Sequence, residues 1–485
     1  MIFKLFTRKA FGFASLVMLS LLFSLSAHAL TDPSELLKQE QDLERFRNLP
    51  QAIPDPVKID KEANEQAGPK INVKGFKLEG EINEFSHETL LALLSDFVGK
   101  DLTFAQIQEA AKRITEFYVS KGFFLAQVVV PKQEVVDNVV VIRINEGKLD
   151  SKQPYKINGT NLRLDPARIS GYLDQAIKKR ITQPRLERGI LNINDNPGVG
   201  ASASIEAGDE PGTSRVLLEA VEGPRFDGTV TADNFGSRYT GSNKLTGSFN
   251  LNNPLKYGDQ VNLTLIDVPN EAFRMAKVGY NFPIGLDGLR AGVSYTDLYF
   301  ELGKEIKTDP VSLGTARNWN FNLRYPLYRT SLTALYLGGA YDWKASYSEA
   351  SGIPTSNKRV NVGNIQLTYE HTDAFLGGGF SQVQLGYTRG NLDLSRNRGS
   401  FDADQSETGP RTDGVYDKYS MQVLRLQRGS ERLTFQFLFN AQATSKNLDG
   451  GEKIMLGGPT GVRGYPSGEG SGDIGIRFAG DAKYV

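Results

Sequence analysis

The chain of 485 residues contains no cysteine, only three histidines, and as many basic as acidic residues. Without cysteine it can hold no disulfide, thiol nucleophile or zinc–thiolate site. His28, His87 and His371 are scattered, which argues against a histidine-rich metal site, and no Ser/His/Asp arrangement can be nominated. Because the net charge is zero, the chain has no excess of basic residues of the kind that binds nucleic acid. We therefore predict a non-enzyme with no catalytic residues, no metal and no cofactor.

Apolar runs long enough to cross a membrane as a helix are also lacking beyond the N-terminus. Three basic residues precede an apolar run at 11–25, and Ala27-His28-Ala29 follows it. Because this run is shorter than the ~20 residues of a membrane span, residues 1–29 are predicted to be a signal peptide cleaved after Ala29. A retained anchor helix is the alternative. If the mature chain lies in a membrane, it must do so as a β-barrel, since only helices and closed barrels satisfy their backbone in lipid.

From Phe226 onward apolar and polar residues alternate, which is the period of a strand with one apolar face. Residues 318–325 read Asn-Trp-Asn-Phe-Asn-Leu-Arg-Tyr, and 245–251, 365–369 and 433–439 alternate in the same way. Each run spans about the 9–11 residues of a tilted membrane strand. The composition, with fifty glycines and only 39% hydrophobic residues, is consistent with strands that face lipid on one side and a polar lumen on the other. We count about eleven candidate strands.

Connection lengths distinguish this pattern from that of a soluble β-sandwich. Short turns are predicted at 283–288, 326–330 and 427–430. Long polar loops are predicted at 300–316, 346–358 and 392–415. Short turns that alternate with long loops are typical of outer-membrane barrels. If the chain enters the barrel from the periplasm, odd strands run outward and the connection after the eleventh strand lies outside.

Two similar modules, at 71–150 and 151–224, are predicted between the N-terminus and these strands. Each has the order strand, helix, helix, strand, strand. In the first module Ser86 and Thr103 are N-caps, Gln106 completes a capping box, and Gly122 ends the second helix. Its closing strands are predicted at 123–130 and 138–145. In the second module the predicted strands are 155–160, 200–206 and 214–221, and the predicted helices are 165–176 and 184–193.

Residues 30–70 predict a polar helix followed by a linker. Asp32 is the expected N-cap, Pro33 fits the first turn, and Glu35 is the expected capping-box partner. The helix should end near Asn48. A proline-containing, charged linker follows, with little to bury.

A glycine-dense segment at 456–473 reads Leu-Gly-Gly-Pro-Thr-Gly-Val-Arg-Gly-Tyr-Pro-Ser-Gly-Glu-Gly-Ser-Gly-Asp. Gly458, Gly461 and Gly464 are spaced like a phosphate loop, but no helix follows whose N-terminus could hold a phosphate. No nucleotide is therefore expected. The segment predicts an ordered loop that carries one buried cation, Arg463.

The tetrad Val462-Arg463-Gly464-Tyr465 resembles the signature loop of outer-membrane transporters that export or assemble proteins. The duplicated module order is similar to a pair of polypeptide-transport-associated (POTRA) domains, and residues 186–198 resemble the second such domain of two-partner secretion transporters. Residues 232–241 resemble the first barrel strand and loop of the same transporters. The chain thus resembles the haemolysin and filamentous-haemagglutinin exporters over nearly all of its length after the signal peptide.

The resemblance implies α+β POTRA modules in the periplasm, followed by an antiparallel transmembrane β-barrel at 225–485. It implies that the signature loop, 444–473, folds back into the lumen, where Arg463 pairs with an aspartate of the barrel wall. It also implies that the N-terminal helix lies in the lumen as a plug. A helix loosely attached in the periplasm is the alternative.

The function implied by the resemblance is that of an outer-membrane transporter that recognises, secretes and can activate a large exoprotein, such as an adhesin or haemolysin. The expected partners are an exoprotein with an N-terminal secretion domain, outer-membrane lipid and the barrel-assembly machinery, without nucleic acid or nucleotide. The expected location is the outer membrane of a Gram-negative bacterium. The alternative is an assembly factor that inserts other barrels.

An open sheet edge is the feature by which such modules could hold a client, because its unpaired N–H and C=O groups can pair with an incoming strand. The predicted strand 123–130 of the first module is the candidate. Its apolar residues are the predicted client-binding residues, namely Phe123, Phe124, Leu125, Val128 and Val130. The alternative is that the modules are rigid spacers.

The sequence departs from the family at its end. The family barrel has sixteen strands, whereas about eleven or twelve are predicted here. Only 475–485, with one imperfect strand at most, follows the signature loop. On this count we expect an incomplete barrel that forms no functional pore. We also expect the wall aspartate to lie beyond the end, because Asp481 is not in a matching motif.

Overall fold

The computed structural model describes residues 32–50, 70–178, 180–269, 273–302 and 312–484. The predicted signal peptide, with its cleavage site at Ala29, and residues 51–69 of the linker lie outside the described residues. Helix α1 (Pro33–Arg47) is the first element, and Asp32 is its N-cap as predicted. The Asp32 carboxylate accepts a hydrogen bond from the Ser34 N–H, and the predicted capping box with Glu35 does not form.

The first module packs two helices on a three-stranded sheet, in the predicted order. Ser86 caps its first helix, and Thr103 and Gln106 form the predicted capping box of its second. Strand β5 is central, parallel to β2 and antiparallel to β4. Leu90 and Ile114 are fully buried in its core. The elements are β1 (Lys70–Val73), β2 (Gly75–Glu81), α2 (His87–Ala92), β3 (Lys100–Thr103), α3 (Phe104–Ser120), β4 (Gln127–Val129) and β5 (Val139–Asn145), with a 3-10 turn at Ser95–Phe97.

The second module repeats this topology, with β9 parallel to β7 and antiparallel to β8. Its boundaries lie within a residue or two of the predicted ones because its caps are local signals; Asp165, for example, caps α4. The elements are β6 (Lys148–Leu149), β7 (Tyr155–Thr160), α4 (Pro166–Ile177), α5 (Gln183–Asn194), β8 (Val199–Ala207) and β9 (Thr213–Glu222). Within the described ranges, no helix is long and apolar enough to cross a membrane.

Twelve antiparallel strands form one sheet in which neighbours in sequence are neighbours in space. This confirms the predicted barrel sheet of eleven to twelve strands. The strands are β10 (Phe226–Asp233), β11 (Lys244–Asn252), β12 (Gln260–Asp267), β13 (Phe273–Ile284), β14 (Leu289–Glu301), β15 (Ser312–Arg329), β16 (Thr333–Ala350), β17 (Ile353–Asp373), β18 (Gly379–Asp393), β19 (Gly414–Arg428), β20 (Leu433–Thr444) and β23 (Gly475–Tyr484). Strand β23 pairs with β20 from Gly475 to Tyr484, so the strand expected to be imperfect is regular.

The two faces of this sheet differ as the alternation predicts. Phe321 and Leu323 are each 51% exposed on the outer, apolar face. On the other face, which we call the lumen side, the amides of Asn318 and Asn320 donate to Asp342. Apolar outside and polar inside is the arrangement that a bilayer requires.

The connections confirm part of the predicted pattern and correct the rest. Turns at 285–288 and 429–432 lie where they were expected. Pro326 lies within β15 at a bulge, so that turn is at 330–332. Residues 346–358 are not a long loop, because β16 and β17 continue to a turn at 351–352. Their polar composition misled the prediction, since strands that project beyond the apolar band can be polar on both faces.

Smaller elements lie in the remaining connections. They are a 3-10 turn at Phe375–Gly377, helix α6 (Arg398–Gln405) in the predicted loop after β18, a 3-10 turn at Gly450–Glu452, and the short pair β21 (Ile454–Met455) and β22 (Ser471–Gly472).

The second module packs on the turns at one end of the barrel. The Arg168 guanidinium donates to the Gly285 carbonyl oxygen at 2.8 Å and lies 3.6 Å from the centre of the Tyr257 ring. Asp195 pairs with Arg329 at the end of β15. Strand β10 is the first strand of this sheet and starts at the end where the modules pack. The first, third and later odd strands of the sheet therefore run away from the modules. Strand β20 is the eleventh, so the connection after it lies at the opposite end, as predicted.

Candidate functional site

Helix α1 lies on the lumen side of the barrel and packs one face against its wall. Leu36 and Leu37 are 2% and 3% exposed and contact a cluster that includes Phe273, Leu298 and Phe300. Further along the helix, Phe46 packs against apolar residues of β18 to β20. The helix therefore occupies the lumen, and its sparse apolar stripe packs against the wall.

A buried ion pair joins the middle of α1 to the wall. Both carboxylate oxygens of Glu40 accept from the Lys244 Nζ, at 2.7 and 2.8 Å. The Lys244 side chain is 0% exposed and that of Glu40 is 8% exposed. Removing one member of such a pair leaves a desolvated charge and typically costs ~3–5 kcal/mol. This contact ties the middle of the helix to the barrel wall.

Two further ion pairs extend this attachment towards the C-terminus of α1. Glu44 accepts from the Lys277 Nζ at 2.7 Å, one helical turn after Glu40. Arg47 donates to Asp233 at 2.7 Å. These pairs are more exposed than the first one, so each contributes less. Glu40 and Glu44 thus face basic residues of the wall, and Arg47 faces an acidic one.

The N-terminus of α1 is held by a charge cluster that also includes the inward loop after β20. Lys358 of β17 is buried and donates to both Asp32 and Asp449. The Ser34 hydroxyl donates to Asp449 at 3.0 Å. Burial, reinforced by the negative charge of Asp32, raises the pKa of Glu35 to about 7. The helix and the loop are therefore fixed to each other as well as to the wall.

Glu452, in the same loop, is the second anchor of this cluster. Its two carboxylate oxygens accept from Lys344 and Lys418, each at 2.7 Å. Burial would raise the pKa of Glu452, but the two lysines outweigh burial and hold it well below its ordinary value. The loop after β20 is thus held in the lumen by charges on three strands.

The glycine-dense part of the signature loop, 456–473, is ordered mainly by its own backbone. The Val462 N–H donates to the Leu456 carbonyl oxygen at 2.7 Å, and the Gly458 N–H donates to that of Tyr465 at 3.0 Å. A Cβ on Gly461 would lie 2.0 Å from the Leu456 carbonyl oxygen, whereas a Cβ on Gly464 would meet nothing within 4 Å. The close approach therefore requires glycine at 461 and not at 464.

Arg463 pairs with Asp481 of β23, with a distance of 2.6 Å between nitrogen and oxygen. Asp481, which is not in a matching motif, therefore lies opposite the loop, because β23 continues the wall. The expectation that the wall aspartate of the family lies beyond the end stays a prediction. The charge of Arg463 is not buried, contrary to expectation, since its side chain is 54% exposed. Val462 and Tyr465, at 49% and 61%, are also exposed.

The loop also contacts α1 and the first outer connection of the barrel. Arg238 pairs with Glu469 at 3.0 Å, and the Ser467 hydroxyl donates to the Phe235 carbonyl oxygen at 3.2 Å. Gly468 lies against the Gln39 side chain of α1. The signature loop therefore contacts α1, the connection after the first strand of the sheet, and the last strand, β23.

The predicted client-binding residues of the first module divide into two groups. The predicted strand 123–130 is shorter, because β4 covers only Gln127–Val129. Phe124 and Leu125 pack against the core of the second module, and Phe123 packs in that of the first, so these three residues lie in turns at and near a module interface. Val128 and Val130 also face the first core. The apolar side chain that β4 exposes is Val129, at 50%.

Sequence reasoning missed the basic residues of the wall. These residues are lysines at inward positions of otherwise regular strands, which pair with acids of α1 and of the loop after β20 that lie far away in the sequence. The residues concerned are Lys244, Lys277, Lys344, Lys358 and Lys418.

Two family models match this chain. The model described as haemolysin secretion/activation protein ShlB/FhaC/HecB matches residues 212–479, which is more than half of the sequence. The model described as POTRA domain, ShlB-type, matches residues 71–147, which include all seven elements of the first module except the first residue of β1, Lys70.

Individual relatives give the same result. The heme/hemopexin transporter protein HuxB of Haemophilus influenzae (strain 86-028NP) is 25% identical over 95% of this chain and 82% of its own length. The outer membrane transporter CdiB of Dickeya dadantii (strain 3937) is 23% identical over 92% of this chain and 77% of its own length. The solved structure of CdiB from Escherichia coli, 20% identical, covers 94% of this chain with a TM-score of 0.74, which shows a shared fold.

Proposed function

Because the chain belongs to the haemolysin secretion/activation protein family, we propose that α1 is the gate of its export path and that the sheet edges of its modules receive the client. The family consists of two-partner secretion transporters, which lie in the outer membrane with POTRA domains in the periplasm and secrete exoproteins. This protein is such a transporter. What remains to be assigned is how its own residues perform the export.

The observation that carries the proposal is the way in which α1 is seated. A permanent plug would be held by a continuous apolar face, whereas α1 has only a few buried leucines and depends on ion pairs along its length. When the helix leaves, each charged group exchanges its protein partner for water. Charged groups of an arriving client, or solvent, can therefore replace the ion pairs one at a time. The seat is therefore suited to release.

Client capture is proposed at the edge of β4, whose outer side bears no neighbouring strand among the described residues. An extended segment added there would form main-chain hydrogen bonds, with Val129 as the exposed apolar contact. Phe124 and Leu125, which join the two modules, would transmit a shift of the first module to the second. Arg463 and Asp481 would set the position of the signature loop during export.

Outer-membrane lipid and the barrel-assembly machinery are the further partners that we propose, because the apolar outer face must be inserted into a bilayer. We propose that the chain itself catalyses no reaction, in keeping with a family of transporters. Movement would then be driven by folding of the client outside.

Co-expression with a candidate exoprotein that carries an N-terminal secretion domain tests the function. Secretion should depend on this chain, while the abundance of unrelated outer-membrane barrels should not change when its gene is deleted. Secretion that is unaffected by the deletion would contradict export. A general loss of other barrels would instead favour the assembly alternative.

A further inference from the structure

An open cavity of about 390 Å³ lies where the second module packs on the barrel. Helices α4 and α5 line it from the module, and the turn at 285–288 and the end of β15 line it from the barrel. Its volume is within the ~300–1,000 Å³ that is usual for small-molecule sites. Because neither α1 nor the signature loop borders this cavity among the described residues, it is separate from the site in the lumen.

The module side of the cavity is basic. Lys178, the C-cap residue of α4, lines it together with Arg185 and Arg188 of α5. Within the part of the chain that the structure describes, none of these three cations pairs with a carboxylate. The Arg185 guanidinium donates only to the carbonyl oxygens of Ile177 and Arg180, at 3.5 and 3.3 Å. The module therefore presents three positive charges that no acidic side chain neutralises.

The barrel side of the cavity does not balance these charges. Its one cation, Arg329, is already paired with Asp195. Its one acidic residue, Asp287, accepts a hydrogen bond from the Gln175 amide at 2.7 Å. Four basic side chains and one acidic side chain thus line the cavity, so its excess of positive charge favours an anion.

The rim of the cavity on the barrel is apolar and aromatic. Tyr325, Leu327 and Tyr328 line it at the end of β15. Tyr325 is opposite Leu337, and Tyr328 is opposite Leu335, on the outer, apolar face of the sheet. Both Leu327 and Tyr328 are exposed. Aromatic residues near the ends of barrel strands lie at the level of the lipid headgroups, so the cavity opens where headgroups are found.

We propose that this cavity binds the headgroup of an anionic glycerophospholipid of the periplasmic leaflet. The leaflet follows from the position of the modules, which lie in the periplasm in this family. The phosphate would lie between Lys178 and Arg188, since guanidinium and ammonium groups form charge-assisted hydrogen bonds with phosphate oxygens. The acyl chains would lie along Tyr328 and the apolar face beyond it.

The lining also selects among headgroups. A zwitterionic headgroup brings an ammonium group, for which the lining offers a single carboxylate, that of Asp287, already bonded to Gln175. A headgroup with a net negative charge leaves no cation without a partner. The bound lipid would contact the second module and the barrel at once, and would thereby hold the module against the wall. The inference rests on the outer-membrane location of the family and not on the proposed gate or capture edge.

Lipid binding to the full-length protein tests the role of the charges. The delipidated protein is titrated in detergent with phosphatidylglycerol or phosphatidylethanolamine, and bound lipid is counted by native mass spectrometry. We expect several-fold tighter binding of phosphatidylglycerol, and loss of this preference in Lys178→Gln/Arg188→Gln. The matched control, Arg143→Gln/Lys152→Gln, removes two exposed module cations that do not border the cavity and should keep the preference. Equal binding of the two lipids by the unmodified protein, or equal loss in both variants, would overturn the proposal.

A second measurement keeps all the lining charges and locates the lipid. Because the chain has no cysteine, Ala176→Cys places the only thiol at the cavity, and Lys152→Cys places it elsewhere on the same module. Each thiol is labelled with a fluorophore in vesicles whose phosphatidylglycerol or phosphatidylethanolamine carries the same spin label near the glycerol. We expect several-fold stronger quenching by phosphatidylglycerol at 176 and equal quenching by the two lipids at 152.

Two outcomes of the quenching measurement would contradict the proposal. Equal quenching by both lipids at 176 would show only that the module lies near the bilayer. Full relief of quenching by an excess of inorganic phosphate would show that the cavity takes a free anion and that the aromatic rim has no part in binding. Secretion is scored separately: if the lipid preference holds but no exoprotein is secreted, the lipid site stands and the export function fails.

Discussion

Two ion pairs on the lumen side have similar nitrogen–oxygen distances but differ in how far water reaches them. Glu40 and Lys244 are joined at 2.7 Å with side chains 8% and 0% exposed, whereas Arg463 and Asp481 are joined at 2.6 Å with side chains 54% and 32% exposed. Water screens the second pair and not the first, so only the first strongly resists separation. Helix α1 is therefore held by desolvated charge, and the segment of the signature loop around Arg463 is held by its backbone.

Breaking the buried pair should have the largest effect. Glu40→Ala leaves the Lys244 ammonium without its partner, and we expect the free energy of docking of α1 to fall by ~3–5 kcal/mol. The helix should then be cleaved rapidly by trypsin at Lys38 and Arg45, and the ion conductance of the protein in planar bilayers should rise.

The matched control removes both charges. Glu40→Met/Lys244→Met keeps the volume and leaves no buried charge, so docking should recover most of the lost free energy. A double variant as sensitive to trypsin as Glu40→Ala would show that the pair has a role beyond mutual neutralisation.

The signature loop should respond to glycine more than to its charge. In Gly461→Ala the added Cβ would lie 2.0 Å from the Leu456 carbonyl oxygen, and we expect a loss of about 1–3 kcal/mol through the displaced backbone. Trypsin should cleave faster after Arg463, and the thermal unfolding midpoint should fall. Gly464→Ala, with open space around its Cβ, should behave like the unmodified protein. Equal effects at both positions would refute the backbone argument.

The docking of α1 should also weaken as pH rises. Glu35 has a pKa of about 7 when docked, above its ordinary value of 4.5, so the docked state takes up a proton. The stabilisation is fully present below about pH 4.5 and is lost as pH rises through about 7. Asp32 and Asp449 oppose ionisation of Glu35, and Lys358 and Lys453 favour it.

Trypsin sensitivity of α1, read at pH 5 and at pH 8 with correction for the activity of the protease, measures this effect. We expect a modest increase at the higher pH. Glu35→Gln, which mimics the protonated form, should reduce the difference; burial also raises the pKa of Glu40 and lowers that of Lys38 to about 8, so part of it should remain. A difference that is undiminished in this variant would assign the pH dependence to other groups.

Local signals explain why the modules were predicted accurately. Ser86, Thr103 and Asp165 cap helices through contacts within three residues, and those helices begin where the sequence indicates. The alternation at 318–325 likewise predicts β15, because successive side chains of a strand face the lipid and the lumen in turn, and each has the polarity of the side that it faces. Phe124 shows the limit: its neighbours in sequence predict a strand, but the second module buries it in a turn.

The charges of the lumen could not be predicted in this way. Glu40 and Lys244 are separated by 204 residues, and nothing near either one indicates the other. Asp481 was set aside because its sequence context matched no motif, yet the register of β23 brings it to Arg463. The position of α1 in the lumen depends on the register of the strands and on the curvature of the barrel. No short segment of the sequence encodes either of these.

The smallest effect is expected at the motif itself. A double-mutant cycle with Arg463→Ala and Asp481→Ala should give a coupling free energy below ~1 kcal/mol, as is usual for exposed pairs. The same cycle on Glu40 and Lys244 should give several times more, from thermal or chemical unfolding in one detergent. If Arg463 and Asp481 couple as strongly as the buried pair, water does not reach them and the backbone account of the loop is wrong. If the coupling is small and secretion is nevertheless lost, the pair acts by setting the position of the loop during export, which stability measurements do not detect.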